Sequence, residues 1–124
     1  MSDLQPIQGD LQSQVMSVMW RLETATVEQV RAALPPRYRG AYTTTQTVLN
    51  RLAERGLLTR QKNRNVIEYR PAVSEADHVS RSIAHRLETA STDARQTALA
   101  RLIGELSDAE LSSLRRRGRR ASEP

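Results

Sequence analysis

The stretch AYTTTQTVLNRLAERG, Ala41 to Gly56, decides how the rest of the chain is read. On a 3.6-residue period Thr45, Val48, Leu49 and Leu52 share one side, while Thr44, Thr47, Asn50, Arg51 and Glu54 lie elsewhere around the cylinder. One face is suited to burial. The other offers hydroxyls, an amide and a guanidinium, the groups that hydrogen-bond to base edges and phosphates in a major groove. The expectation is a DNA-recognition helix over residues 42–55, entered through a Tyr-Thr-Thr turn, with Gly56 as the glycine just past its end.

The flanking sequence is consistent with that reading. Leu11, Val15, Val18, Met19 and Leu22 recur at helical steps, so a first helix is expected from about Gly9 to Leu22, with Met16 and Trp20 widening its apolar face and Asp10 in its first turn. Thr24-Ala25-Thr26 interrupts the pattern. Thr26 can cap a short second helix from Val27 to Leu34, whose stripe is Val27, Val30, Ala33 and Leu34 and whose end is set by Pro35-Pro36. A short helix, a loop over Arg37 to Gly40 and a longer helix with polar outward residues make a helix-turn-helix. After Gly56 the period changes. Residues 57–61 and 66–70 read as two strands around Lys62-Asn63-Arg64-Asn65, where asparagine tolerates positive φ. This hairpin is expected to be the wing, with Arg60, Lys62 and Arg64 placed to meet phosphates or a minor groove.

Charge points the same way. The chain has 124 residues and a net charge of +5, but between Arg37 and Arg70 there are eight basic residues against Glu54 and Glu68, a local charge of +6. A basic excess confined to one region suits a polyanion, and equally a solvated surface. Lys62 is the sole lysine, so the contacts expected are geometric guanidinium forks. There is no cysteine, which excludes disulfides, thiolate metal sites and cysteine nucleophiles. No apolar run is long enough for a membrane span and the first residues lack signal-peptide regions, so a cytoplasmic protein without membrane insertion is expected. His78 and His85 are about 10 Å apart along a helix, too far for one metal, and read as surface residues. No nucleophile elbow surrounds any serine. No enzyme, catalytic residue, metal or cofactor is expected.

Beyond Pro71 three helices are expected, over 74–90, 92–105 and 107–117, with Ser74, Thr92 and Ser107 as N-caps and Glu110 completing a capping box. Their apolar positions are Val79, Ile83 and Leu87, then Ala98, Leu99, Leu102, Ile103 and Leu106, then Leu111 and Leu114. Stripes this thin do not close a core alone. A second copy is the natural cover, which makes Val79, Ile83, Leu87, Leu99, Leu102, Ile103, Leu106, Leu111 and Leu114 the expected dimer contacts. The organisation expected is a flexible leader over 1–8, a winged-helix domain over 9–71, a helical dimerisation region over 72–117 and a frayed basic tail over 118–124. The fold class is mainly α with a small β-hairpin.

The residues AYTTTQTVLNRLAERGLLTR, with GDLQSQVMSVMW before them and EYRP after the wing, resemble the penicillinase-repressor (BlaI/MecI) family of bacterial transcriptional regulators. The match covers about residues 9–71 well and the later helices in arrangement. The resemblance implies a dimeric winged-helix repressor whose first domain binds operator DNA. It places Tyr42, Thr43, Thr44, Thr47 and Arg51 at the DNA-facing helix. Together with the face reading, the expected DNA contacts are Tyr42, Thr43, Thr44, Gln46, Thr47, Asn50, Arg51, Arg60, Lys62 and Arg64, with Asn50 pairing adenine and Arg51 meeting guanine or phosphate.

The chain also departs from the family pattern. Thr45 stands where the family has valine, which puts a hydroxyl at a buried position. The wing tip lacks the frequent glycine, and Ile67 stands where an aromatic is common. The Asn-Phe pair at which antibiotic-responsive members are cut is replaced by Ala98-Leu99-Ala100-Arg101-Leu102, and the cysteine motif of copper-responsive members is missing. The resemblance therefore assigns no inducing signal and no upstream sensor or protease. Two other functions fit a basic winged helix: a protein-docking module for an acidic partner, and a nonspecific nucleoid protein.

Overall fold

The computed structural model of the chain describes residues 9–122; the expected leader over 1–8 and the last residues of the expected tail lie outside them. Three helices come first: α1, Gly9–Leu22, α2, Val27–Ala33, and α3, Tyr42–Glu54. A hairpin follows, β1, Leu58–Asn63, and β2, Val66–Pro71, and then α4, Glu75–Thr89, α5, Thr92–Gly104, and α6, Asp108–Ser122. The chain divides into two compact units, one ending at Ile83 and one beginning at Ala84, so α4 carries the chain from the first into the second.

The first unit has the core. Val15, Met16, Val18 and Met19 of α1 pack with Val27, Val30 and Leu34, with Val48, Leu49 and Leu52 of α3, and with Leu57, Leu58 and Tyr69 from the hairpin. Those within the helices and strands sit where the element's period turns one face inward, and Leu34 and Leu57 join them from the connections after α2 and α3. Thr26 caps α2 through a full capping box, its hydroxyl accepting from Gln29 N and the Gln29 side chain accepting from Thr26 N. The helix stops at Ala33, one residue before the expected end, because Leu34 takes an extended conformation ahead of Pro35. The expected loop contains a 3-10 turn, Pro36–Tyr38.

The hairpin is longer than its sequence pattern suggested. β1 and β2 pair antiparallel from Leu58↔Pro71 to Asn63↔Val66, so the turn is Arg64-Asn65 alone, not the four residues expected. Both have positive φ, 52° and 69°, which is the requirement of the two-residue turn that matches strand twist. A third segment joins this sheet: Ala25 bridges Tyr69, with N–H to O distances of 3.0 and 2.8 Å. No periodicity signals it, because one residue between two helices has no period.

α4 opens at a Ser74 cap, whose hydroxyl accepts from Asp77 N. For α5 the cap is Ser91, not Thr92, since Ser91 Oγ accepts from Ala94 N. The capping box expected of Ser107 and Glu110 forms at the start of α6. That helix does not stop at Arg117 but runs through Gly118 to Ser122. Nor is His78 a surface residue: it is 7% exposed, with its ring 5.7 Å from that of Trp20. Trp20 in turn donates its Nε1 proton to Val73 O at 2.9 Å. Among the described residues no helix is long and apolar enough to cross a membrane.

Candidate nucleic-acid interface

α3 is divided as its period requires. Thr45, Val48, Leu49 and Leu52 are buried, Thr45 to 1% exposure, whereas Tyr42, Thr43, Thr44, Thr47 and Arg51 are exposed and Gln46 and Asn50 are half-buried. Both ends of the helix are fixed by backbone chemistry. At its start Ala41 has no side chain able to cap, so Tyr42 and Thr43 bring first-turn amides and the positive end of the helix dipole to the surface. At its end Gly56, at φ 80°, donates to Ala53 O while Leu57 N reaches back to Leu52 O. This is the glycine-terminated arrangement that satisfies the last carbonyls and turns the chain into the wing.

Two arginines that read as plain basic charge in the sequence build the turn instead. Arg39 Nη2 donates to Ala32 O and Leu34 O, closing the end of α2. Arg31 Nε donates to Gly40 O at 2.7 Å, fixing the residue two positions before α3. Arg37 lies over the Tyr38 ring, 4.7 Å from its centre, and donates to the phenol oxygen. Arg55 is drawn back onto α1, where Nη1 donates to Gln12 Oε1. Part of the local +6 is thus used in holding the motif together. No sequence pattern signals these roles, because they depend on where the loop runs in space.

The exposed bases that remain, Arg51, Arg60, Lys62, Arg64 and Arg70, lie on α3 and the hairpin. Register separates them. Arg60 pairs with Tyr69 and Lys62 with Ile67, so both are on the strand face that carries the apolar residues. Arg60 lines a niche with Asn50, Ala53 and Glu54, between α3 and the wing. Arg64 occupies the turn itself.

Two polar side chains of α3 have less freedom than the sequence suggested. The Thr47 hydroxyl donates to Thr43 O at 2.9 Å, which leaves its methyl and its lone pairs for a partner. Asn50 was expected to face a groove with its whole amide. In the structure Tyr69 Oη donates to Asn50 Oδ1 at 2.6 Å, tying the wing to α3. One lone pair of the amide oxygen is therefore engaged, because a buried phenol must find a partner, and the other lone pair and the NH2 group remain for a base edge. Tyr69 is the residue the sequence reading passed over. Its signal was present, since it alternates with Ile67 on the inward face of β2.

Of the nine residues expected to form a dimer contact, Val79, Ile83, Leu102, Ile103 and Leu114 are 46 to 55% exposed, and Leu87, Leu99, Leu106 and Leu111 are half-buried. From Ala84 to the end of the described side chains no residue is buried. Among the described residues no group of His, Asp and Glu is placed to hold a metal.

Comparison with known proteins gives a consistent picture. A family profile described as penicillinase repressor matches residues 8–119. The chain is 36% identical over 110 residues to the transcriptional regulator BlaI of Mycobacterium tuberculosis strain CDC 1551/Oshkosh, covering 87% of this chain and 80% of that protein. The same figures hold for BlaI of strain H37Rv. Among solved structures, the solution structure of the DNA binding domain of the repressor BlaI is 30% identical, with a TM-score of 0.52, over 62% of this chain and 93% of that one.

Proposed function

The chain belongs to the penicillinase repressor family, whose members are transcriptional regulators and not enzymes, and we propose that it acts as a dimeric repressor on a palindromic DNA operator. The observation that carries this reading is the division of α3. One face is locked into the core by four buried residues, and the other presents Thr43, Thr44, Thr47 and Arg51 beside an exposed basic hairpin. In this reading α3 lies in a major groove. Tyr42, Thr43 and Thr44 meet the backbone and base edges near its start, and Gln46 and Arg51 act further along. Arg64 at the wing tip, with Arg60 and Lys62 behind it, neutralises neighbouring phosphates. Asn50 holds the wing through Tyr69 and retains its NH2 group and the second lone pair of its oxygen for a base edge.

Dimerisation is supported by the helices after Ala84, which bury no residue of their own and carry a row of half-exposed leucines and isoleucines. A second copy would cover that row. Two recognition helices would then address half-sites about 34 Å apart, one turn of DNA, or a multiple of that spacing. Repression follows from occupying a promoter against polymerase.

Selection of binding sites from random duplexes at physiological salt tests the proposal. The expected outcome is an enriched palindrome. Weak, strongly salt-sensitive binding without enrichment would instead identify a module for an acidic protein, and a broad footprint without preference would identify a nonspecific DNA-coating protein.

A further inference from the structure

The winged-helix contacts leave the strongest charge in the chain unused. α6 has Asp108 and Glu110 in its first turn, and Arg115, Arg116, Arg117, Arg119 and Arg120 towards its end. Acids at the start and cations at the end of a helix suit its dipole, but the dipole does not call for five guanidiniums in six positions. At 100° per residue, Arg116 and Arg120 stand one turn apart on the side away from Leu111 and Leu114, while Arg115 and Arg119 follow Leu111 in its own row and flank that side. All five are exposed. Among the described residues the ion pairs are Arg31–Glu28 and Arg81–Asp77, so no carboxylate there pairs with these arginines. Like charges one turn apart repel and weaken a helix, yet the helix continues through them to Ser122. The helix carries exposed guanidinium forks of one sign that no ion pair within the described residues neutralises.

We propose that this arginine face of α6 is a second binding surface for the sugar-phosphate backbone of duplex DNA, outside the winged helix. The composition selects the partner. Planar guanidiniums match phosphate oxygens two at a time, and from Arg115 to Arg120 there is no apolar or aromatic side chain of the kind that anchors a protein interface. Such a surface adds affinity without sequence preference, because phosphates are the same at every base pair. It rests on the proposed function only in taking duplex DNA as the polyanion that the chain meets.

The test uses the full chain with Arg115→Gln, Arg116→Gln, Arg119→Gln and Arg120→Gln combined, and a second variant with lysine at the same four positions. Glutamine and lysine both keep helix propensity close to that of arginine. Binding constants are measured across a salt series on a selected operator and on random duplex. The glutamine variant is expected to lose affinity for both duplexes by the same factor, and its log–log salt slope should fall by about 0.9 per phosphate contact removed. The lysine variant should keep a slope close to the parent's. An unchanged slope in the glutamine variant overturns the proposal, leaving a solvated helix end or a contact for an acidic protein. So does an equal loss in the lysine variant, which would point to damaged structure. The slope on random duplex is read whether or not any operator is preferred, so failure here and failure of the operator reading are separate results.

Discussion

Thr45 holds a hydroxyl in a core position that is 1% exposed. A buried hydroxyl contributes less than the methyl that would replace it unless it is well bonded. Thr45→Val is accordingly expected to raise stability by about 1 kcal/mol in urea unfolding, with DNA affinity unchanged, because the residue lies on the face of α3 away from the proposed groove. His78 is the other polar group taken inside. Its Nδ1 has no hydrogen-bond partner among the described residues, and burial holds its pKa below the ordinary 6.5. The folded state therefore binds fewer protons than the unfolded chain between that lowered pKa and 6.5. Stability should rise with pH across this window, be complete above 6.5, and be lost as the pH falls below it. Urea midpoints from pH 5 to 7.5 should show this slope in the parent and a flatter one in His78→Phe, which keeps a ring against Trp20 without the titration.

At the scale of elements, the wing turn couples strain to contact. Arg64 sits at φ 52°, a conformation that costs a residue with a Cβ about 1 kcal/mol and costs glycine almost nothing. Arg64→Gly should thus stabilise the hairpin by about 1 kcal/mol while weakening binding to every duplex and lowering the salt slope by about one unit per wing. A loss of stability together with a loss of affinity would show that the arginine serves the fold and not the phosphate. The recognition helix makes the complementary prediction. Thr44→Ala with Thr47→Ala should reduce the ratio of operator to random binding by about tenfold, roughly the 1–3 kcal/mol that a lost base contact costs, and leave the salt slope as it was. A competition gel-shift reads the ratio directly.

For the whole molecule, the described side chains from Ala84 on include none that is buried, and the proposed dimer is what would cover their apolar row. Leu102→Glu with Ile103→Glu sets two charges into the row of exposed apolar residues, 51 and 55% exposed in the single chain. Sedimentation should show a monomer at concentrations where the parent is a dimer. Operator binding should become far weaker, because each half-site is then bound without the effective concentration that linkage supplies. Circular dichroism of the winged helix should change little, since its core lies wholly before Ile83.

The elements were legible in the sequence wherever a local signal specified them. Helical and strand periods, the Pro35-Pro36 stop, the Gly56 terminus and the Ser107 capping box act over a few residues and need no knowledge of the fold. The burial of Thr45 was legible too, because a period assigns a face whatever residue stands there. The contacts of side chains that cross between elements were not. Arg39 on the α2 carbonyls, Arg31 on Gly40, Tyr69 on Asn50 and Ala25 beside Tyr69 join residues 5 to 44 positions apart through paths that only the packed chain defines. The same holds for His78, whose environment is decided by Trp20 on a helix 58 residues earlier. Sequence alone determined that Ala41–Gly56 holds a helix with one inward and one outward face. Tertiary packing decided which of its outward groups stay free, because a polar atom near a closing core is bonded by whatever the fold brings within reach.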